Sequence, residues 1–131
     1  MTTDPAAILV VDDDAGVRDL YREVLSGPER RVMATGAGRE ALETLARETV
    51  ALVILDLKLA DMDGFDFLAR VKEQLEDPPP VIVSSGMASV DNAVRAIKAG
   101  AADFVIKPFN VAALEHIVAR TIRLSTLDEE I

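Results

Sequence analysis

The sequence predicts an α/β fold, a doubly wound sheet of five parallel strands with helices on both faces, on three observations. Short, continuously apolar runs alternate five times with segments whose apolar residues recur at helical spacing. The connections are short, which suits right-handed crossovers through helices. The polar groups Asp12-Asp13-Asp14, Asp56, Ser85 and Lys107 stand at the ends of four of the runs, so a parallel sheet would gather them along its carboxyl edge, where such folds bind ligands.

Ala6 to Val11 is apolar throughout and closed by acids, the pattern of a strand buried on both faces. From Ala15, the positions Val17, Leu20, Tyr21, Val24 and Leu25 follow a helical stripe that Ser26-Gly27-Pro28 ends. Arg31 to Thr35 is a short, weakly apolar strand, and Ala41, Leu42 and Leu45 with charged neighbours mark a short helix finishing before Thr49. Ala51 to Leu55 is the most apolar strand. A loop rich in Asp and Gly follows it, then a third helix through Phe65, Phe67, Leu68, Val71 and Leu75, stopped by Glu76-Asp77 and Pro78-Pro79-Pro80. Val81 to Ser84 is the fourth strand. Ser89 is placed to cap a helix carrying Val90, Ala93, Val94 and Ile97, which Gly100 closes in the left-handed conformation. Phe104 to Ile106 is the fifth strand and Val111 to Leu124 the last helix.

A chain of 131 residues with 50% apolar content suits one domain with a substantial core. Without cysteine it has neither disulfides nor thiolate metal sites, which leaves oxygen-ligated metals. A formal charge of −9 argues against direct nucleic-acid binding by this segment, because phosphate contacts need clustered Lys and Arg. Met1-Thr2-Thr3-Asp4-Pro5 has no charged n-region or apolar h-region, and no run approaches the ~18 apolar residues of a membrane span. The expected location is the cytoplasm, without membrane association.

Adjacent carboxylates at a strand end repel one another unless a cation lies between them. Magnesium answers that need: it binds oxygen ligands, keeps several waters and takes one or two protein carboxylates, so Asp12, Asp13 and Asp56 suffice, with Mn2+ as a substitute. Asp56 stands alone after the most apolar strand, where its carboxylate can attack phosphorus to give an acyl phosphate. Lys107 offers a point charge, and Ser85 a short hydroxyl donor, for phosphoryl oxygens. Each residue taken alone has a plainer reading. Asp56 or the acidic run could be helix caps, Ser85 a loop residue, and Lys107 an extended residue before Pro108. Their joint placement at successive strand ends favours the site.

The chain resembles a bacterial response-regulator receiver domain, the CheY-like member of the flavodoxin-like folds, from about Ile8 to Leu124. The likeness rests on four stretches in family order and spacing: Ile8 to Asp14, Val53 to Gly64, Val81 to Gly86 and Lys98 to Phe109. It implies a sheet of order 2-1-3-4-5 in a receiver domain over residues 1–124, with 125–131 as a tail or the start of a linker helix. It implies that Asp56 accepts a phosphoryl group from a phosphohistidine of a sensor histidine kinase or phosphotransfer protein. Asp12, Asp13, Asp56 and the backbone carbonyl of Lys58 would hold Mg2+, and Lys107, with a cis bond to Pro108, would contact the phosphoryl group. Ser85 matches the switch Ser/Thr, and Phe104 the aromatic that rotates inward behind it. Phosphorylation would shift populations on the face of helix 4, strand 5 and helix 5, through which a homodimer could also form.

The implied chemistry is self-modification and autodephosphorylation rather than turnover of a substrate. The output, attached or separate, could be transcription, since Ser85 to Phe109 is most like receivers joined to DNA-binding activators. One departure is Ala60, where the family usually has proline, so the loop after Asp56 should be more flexible. Lys58 and Met87 flank the expected phosphoryl position and should set the hydrolysis rate.

Other readings compete. Gly36-Ala37-Gly38-Arg39-Glu40-Ala41 opens a helix after a strand, with Asp56 roughly 20 residues on, as in a dinucleotide fingerprint. That strand is the weakest of the five, however, and Asp12, Asp13, Ser85 and Lys107 would go unexplained. Asp61-Met62-Asp63-Gly64 resembles the start of a haloacid-dehalogenase-type phosphatase motif but lacks a buried strand directly before it, so a turn explains it better. A pseudo-receiver, an interaction module that is never phosphorylated, would ordinarily have lost a site residue. His116, mid-helix, should face solvent or pack. Leu114, Ile117, Thr121, Leu124, Asp128 and Ile131 keep rough heptad spacing, thin support for a coiled coil.

Overall fold

The computed structural model describes residues 5–86 and 90–130, with side chains described through Ser125. Strands β1 (Ala6–Val11), β2 (Arg30–Thr35), β3 (Leu52–Leu55), β4 (Val81–Ser85) and β5 (Asp103–Ile106) alternate with helices along the chain. The helices are α1 (Ala15–Leu25), α2 (Gly38–Arg47), α3 (Gly64–Gln74), α4 (Val90–Lys98) and α5 (Val111–Glu130). All strand pairs are parallel and the order is β2-β1-β3-β4-β5. The order reverses at β1, and such a sheet opens its crevice at the carboxyl edge between β1 and β3.

Successive strand residues feed opposite faces. Leu9, Val11, Val53, Leu55, Val81 and Val83 pack against Ala41 and Leu45 of α2, Phe67, Leu68 and Val71 of α3, and Ala96 of α4. Ile8, Val10, Leu52, Ile54 and Ile82 pack against Tyr21 and Leu25 of α1 and Leu114 and Val118 of α5. A fully buried aliphatic side chain contributes about 1.5–3 kcal/mol, so the core lies in the three central strands. Burial on both faces is why those strands read as unbroken apolar runs. β2 and β5 form the edges and are mostly half-buried, which explains the weak apolar signal of β2.

Two limits differ from the sequence expectation in ways that bear on the site. β4 runs through Ser85 because the Lys107 N–H donates to the Ser85 carbonyl (2.9 Å) and extends the β4–β5 ladder. Ser85 is therefore the last residue of a strand rather than the first of a loop. α5 continues past Leu124 to Glu130. Leu114 and Thr121 are buried in this domain while Leu124 is exposed, so the first part of the heptad-spaced seam serves the domain's own core. Ser89, the expected cap of α4, lies outside the described residues. At the other end of α4, the Ala101 N–H donates to Ala96 O and the Gly100 N–H to Ile97 O, both at 3.0 Å. That closure needs the φ of +106° at Gly100, which a side chain would resist. Among the described residues, no helix is long and apolar enough to cross a membrane.

Candidate functional site

Asp12 directly follows β1. Its N–H donates to the Thr35 carbonyl (3.0 Å), prolonging the β1–β2 ladder by one residue, and the residue is only 1% exposed. Asp13 is exposed. Asp14 caps α1 from extended backbone, accepting from the N–H groups of Gly16 (2.9 Å) and Val17 (3.2 Å). The capping reading thus holds for one acid of the three and leaves the other two for the site. Asp56 follows β3, and donation from its N–H to the Val11 carbonyl (2.8 Å) sets it beside Asp12. Asp12, Asp13 and Asp56 each bring a carboxylate oxygen within 4.8 Å of the others.

Lys107 follows β5 and sends Nζ to Asp12 Oδ2 (2.5 Å) and Asp56 Oδ2 (3.1 Å). The Lys107–Pro108 bond is cis, as expected. Burial raises the Asp12 carboxyl above its ordinary value, against the opposing hydrogen bonds from Lys107 and the Asp14 N–H. Burial pulls the Lys107 ammonium down, but the hydrogen bonds and charges of Asp12 and Asp56 overcome it and hold it above an ordinary lysine. The pairing therefore prevails at Lys107 and not at Asp12. Asp12 is the more deeply enclosed of the two, with a side chain 2% exposed against 18%, and it also faces the like charge of Asp56. One ammonium only partly compensates two enclosed carboxylates.

The donors are hard oxygens with no imidazole or thiolate among them, a set that fits a divalent cation of the magnesium type. Lys58 lies in the adjoining loop, its N–H on Asp56 Oδ1 at 3.3 Å. Ser85 is buried at the end of β4 and meets Lys107 through its carbonyl. Phe104 sits further back on β5, opposite Val83, half-buried against the α2–α3–α4 face. Asp12, Asp13, Asp56 and Lys107 are thus brought together directly, Ser85 through the main chain, and Phe104 at a remove. Met87 lies outside the described residues. His116 is exposed.

Several supporting residues were not apparent from the sequence. Tyr21, fully buried, donates its hydroxyl to Ser84 Oγ at 2.8 Å and stacks on Phe109, with ring centroids 5.1 Å apart. It links α1 to the residues beside Ser85 and Lys107. A serine within an apolar strand is the one signal that could have pointed to such a partner. Asp61 accepts from the amides of Gly38 (2.7 Å) and Arg39 (3.1 Å) at the start of α2. The amides of Arg39 and Gly38 hold its carboxyl below the usual range. The glycine-rich stretch that resembles a dinucleotide fingerprint therefore receives an internal carboxylate. Asp63 caps α3 through the Phe65 N–H (2.7 Å). Ala60 donates its N–H to the Gly36 carbonyl (3.1 Å). A proline could not make that bond, so the loop expected to be looser is instead tied to the β2–α2 turn.

Together these features define a flavodoxin-like α/β domain whose sheet carries, at its switch point, a carboxylate cluster bridged by a lysine. The chain belongs to the response regulator receiver domain family, whose model matches residues 8–119, and so is a signalling domain of two-component phosphorelays. It is 40% identical over 114 residues to the regulatory protein LuxO of Vibrio cholerae serotype O1, a match covering 87% of this chain and 25% of LuxO. It is 38% identical over 125 residues to the transcriptional regulatory protein ZraR of Escherichia coli K12, covering 92% of this chain and 28% of ZraR. The chain thus spans about a quarter of the length of these curated relatives. Among solved structures, a CheY-like response regulator receiver domain protein from Methanospirillum hungatei JF-1 matches with a TM-score of 0.88 at 26% identity. That match covers 95% of this chain and 99% of the other.

Proposed function

We propose that Asp56 is the phosphoacceptor of this receiver, taking its phosphoryl group from a phosphohistidine on a sensor histidine kinase or phosphotransfer protein. The observation that carries this reading is the convergence of Asp12, Asp13 and Asp56 with Lys107 set between two of them. A carboxylate oxygen of Asp56 bonds to phosphorus as the P–N bond to imidazole breaks, and the imidazole leaves with the electron pair. Asp12, Asp13, Asp56 and the Lys58 carbonyl would hold Mg2+, or Mn2+ in its place. When bound, the ion neutralises charge on the phosphoryl oxygens. The Lys107 ammonium turns to a phosphoryl oxygen, and the Ser85 hydroxyl donates to another.

Movement of Ser85 draws Phe104 inward and shifts the population of the α4–β5–α5 face, where Val94, Ile97 and Ile106 are exposed. That face is the readout surface, for an output element or for a second copy of the chain. LuxO and ZraR are regulatory proteins longer than this chain, which supports control of transcription in the cytoplasm as the output. The only turnover is loss of the domain's own phosphoryl group. The test is incubation with acetyl phosphate and Mg2+, then intact mass, for wild type and Asp56→Asn. Wild type should gain one phosphoryl group and Asp56→Asn none. A gain in neither would overturn the reading, and a gain in both would misplace the acceptor.

A further inference from the structure

The carbonyl of Asp12 lies just past the last β1–β2 residue pair, Val11 with Thr35, in a residue almost wholly buried. A buried carbonyl in that position needs a donor from outside the ladder. Arg18 of α1 supplies it, with Nη1 at 2.7 Å from Asp12 O. The guanidinium lies against Gly36, the first residue after β2. A Cβ on Gly36 would stand 2.9 Å from Arg18 Nη1 and 3.5 Å from both Asp12 O and Asp13 Cα. The Gly36 carbonyl in turn accepts from Ala60, in the loop that follows Asp56. Among the described residues Arg18 forms no ion pair, so its hydrogen bonding is directed to the Asp12 carbonyl.

We propose that Arg18 is a positioning residue for the metal-binding loop: by holding the Asp12 carbonyl it sets how the carboxylates of Asp12 and Asp13 meet that of Asp56. The inference rests on the reading of those three acids as Mg2+ ligands. The peptide between Asp12 and Asp13 is a rigid plane, so fixing its carbonyl also fixes the direction in which Asp13 leaves. The contact with Gly36, and the bond from Gly36 to Ala60, tie that plane to the loop carrying the phosphoacceptor. Groups that support metal ligands contribute about 10–100-fold in affinity. The Asp12 N–H remains tied to Thr35, which puts the effect here near the low end, about 10-fold.

The test is the Mg2+ affinity, from NMR shift titrations, of wild type, Arg18→Lys, Arg18→Met and Gly36→Ala. Lysine keeps the charge without the planar fork, methionine removes the charge, and the alanine methyl pushes an intact guanidinium from its seat. All three variants should bind Mg2+ about 10-fold more weakly, and acetyl phosphate should modify them at the wild-type rate once Mg2+ is saturating. Arg18→Met should weaken binding even though loss of a positive charge alone would tighten it. Unchanged affinities with only a lowered melting temperature would make Arg18 merely structural and overturn the inference. Wild-type affinity in Arg18→Lys with tighter binding in Arg18→Met would make it a charge effect and overturn it equally. Should the Arg18 variants fail to fold, Gly36→Ala decides by the same criterion. Failure of the underlying metal reading looks different, because wild type itself would then bind no Mg2+.

Discussion

Replacing Lys107 with methionine keeps most of the side chain's length and its apolar stem while removing the ammonium that bridges Asp12 and Asp56. The carboxylates left behind are enclosed, with side chains 2% and 11% exposed. At an effective dielectric of ~20, one charge pair at ~4 Å is worth about 4 kcal/mol, and desolvation of the ammonium offsets part of what the two pairs provide. Removing one member of such a buried pair costs about 3–5 kcal/mol. Asp12 can escape part of that cost by taking up a proton, which its burial already favours. The lower figure, about 3 kcal/mol, is therefore expected at pH 7 in chelator. Mg2+ at roughly 100 times its dissociation constant returns about 2.7 kcal/mol. At equal Mg2+ it should stabilise the variant more than the wild type, where the ion must compete with Nζ for Asp12. Urea unfolding followed by circular dichroism, in EDTA and in Mg2+, measures both quantities. If the variant matches wild type in EDTA, or gains no more from Mg2+ than wild type does, then lysine and metal do not compensate the same charges.

Further perturbations test the packing, the charge and the hydrogen bonding around the site. A Cβ on Gly64 would lie 2.5 Å from Leu57 Cα and 2.8 Å from Asp56 O, backbone atoms that cannot swing aside, so Gly64→Ala should cost about 3 kcal/mol and slow phosphorylation of Asp56. Gly27→Ala meets nothing within 4 Å and should change stability by less than about 1 kcal/mol; similar melts for the two would contradict the packing argument. Because burial raises Asp12, between pH 3.8 and that raised value the folded state holds a proton the unfolded chain has released, so this group's contribution to stability grows as pH falls and is lost as pH rises through the window. Mg2+ affinity should move the opposite way, weakening on acidification through the same window. Asp12→Asn, without that charge, should be at least as stable as wild type at pH 7 in chelator, and a clear loss would show that the ionised carboxylate is favourable. Tyr21→Phe strips the Ser84 hydroxyl of its buried partner and should cost about 1–3 kcal/mol; adding Ser84→Ala should recover part of it, and strictly additive losses would disprove the coupling.

The fold was legible because a strand buried on both faces is apolar at nearly every position. Ala6–Val11, Leu52–Leu55 and most of Val81–Ser85 announce themselves for that reason, whereas β2, half-covered at the edge, barely does. That Asp12, Asp13, Asp56 and Lys107 would gather was legible too, since the end of a strand is a local feature and parallel topology carries every such end to one edge. Which acid of the run caps α1 was not. Asp12, Asp13 and Asp14 are equivalent in sequence, and only the first turn of α1 makes Asp14 its cap. Ala60 suggested a looser loop, because nothing in a single stretch of sequence shows the Gly36 carbonyl waiting across the turn. Arg18, Tyr21 and Asp61 carried no signal beyond helix, core and turn.

By itself, then, the sequence determined the elements and their succession along the chain, set by local periodicity, and the polar groups that stand at the strand ends. Only the tertiary structure decided which acid caps a helix, which cation lies between the other acids, and which side chains hold them. Those outcomes depend on hydrogen bonds between residues as far apart as Lys107 and Asp12, and such bonds are decided by tenths of an ångström that spacing along a chain does not encode.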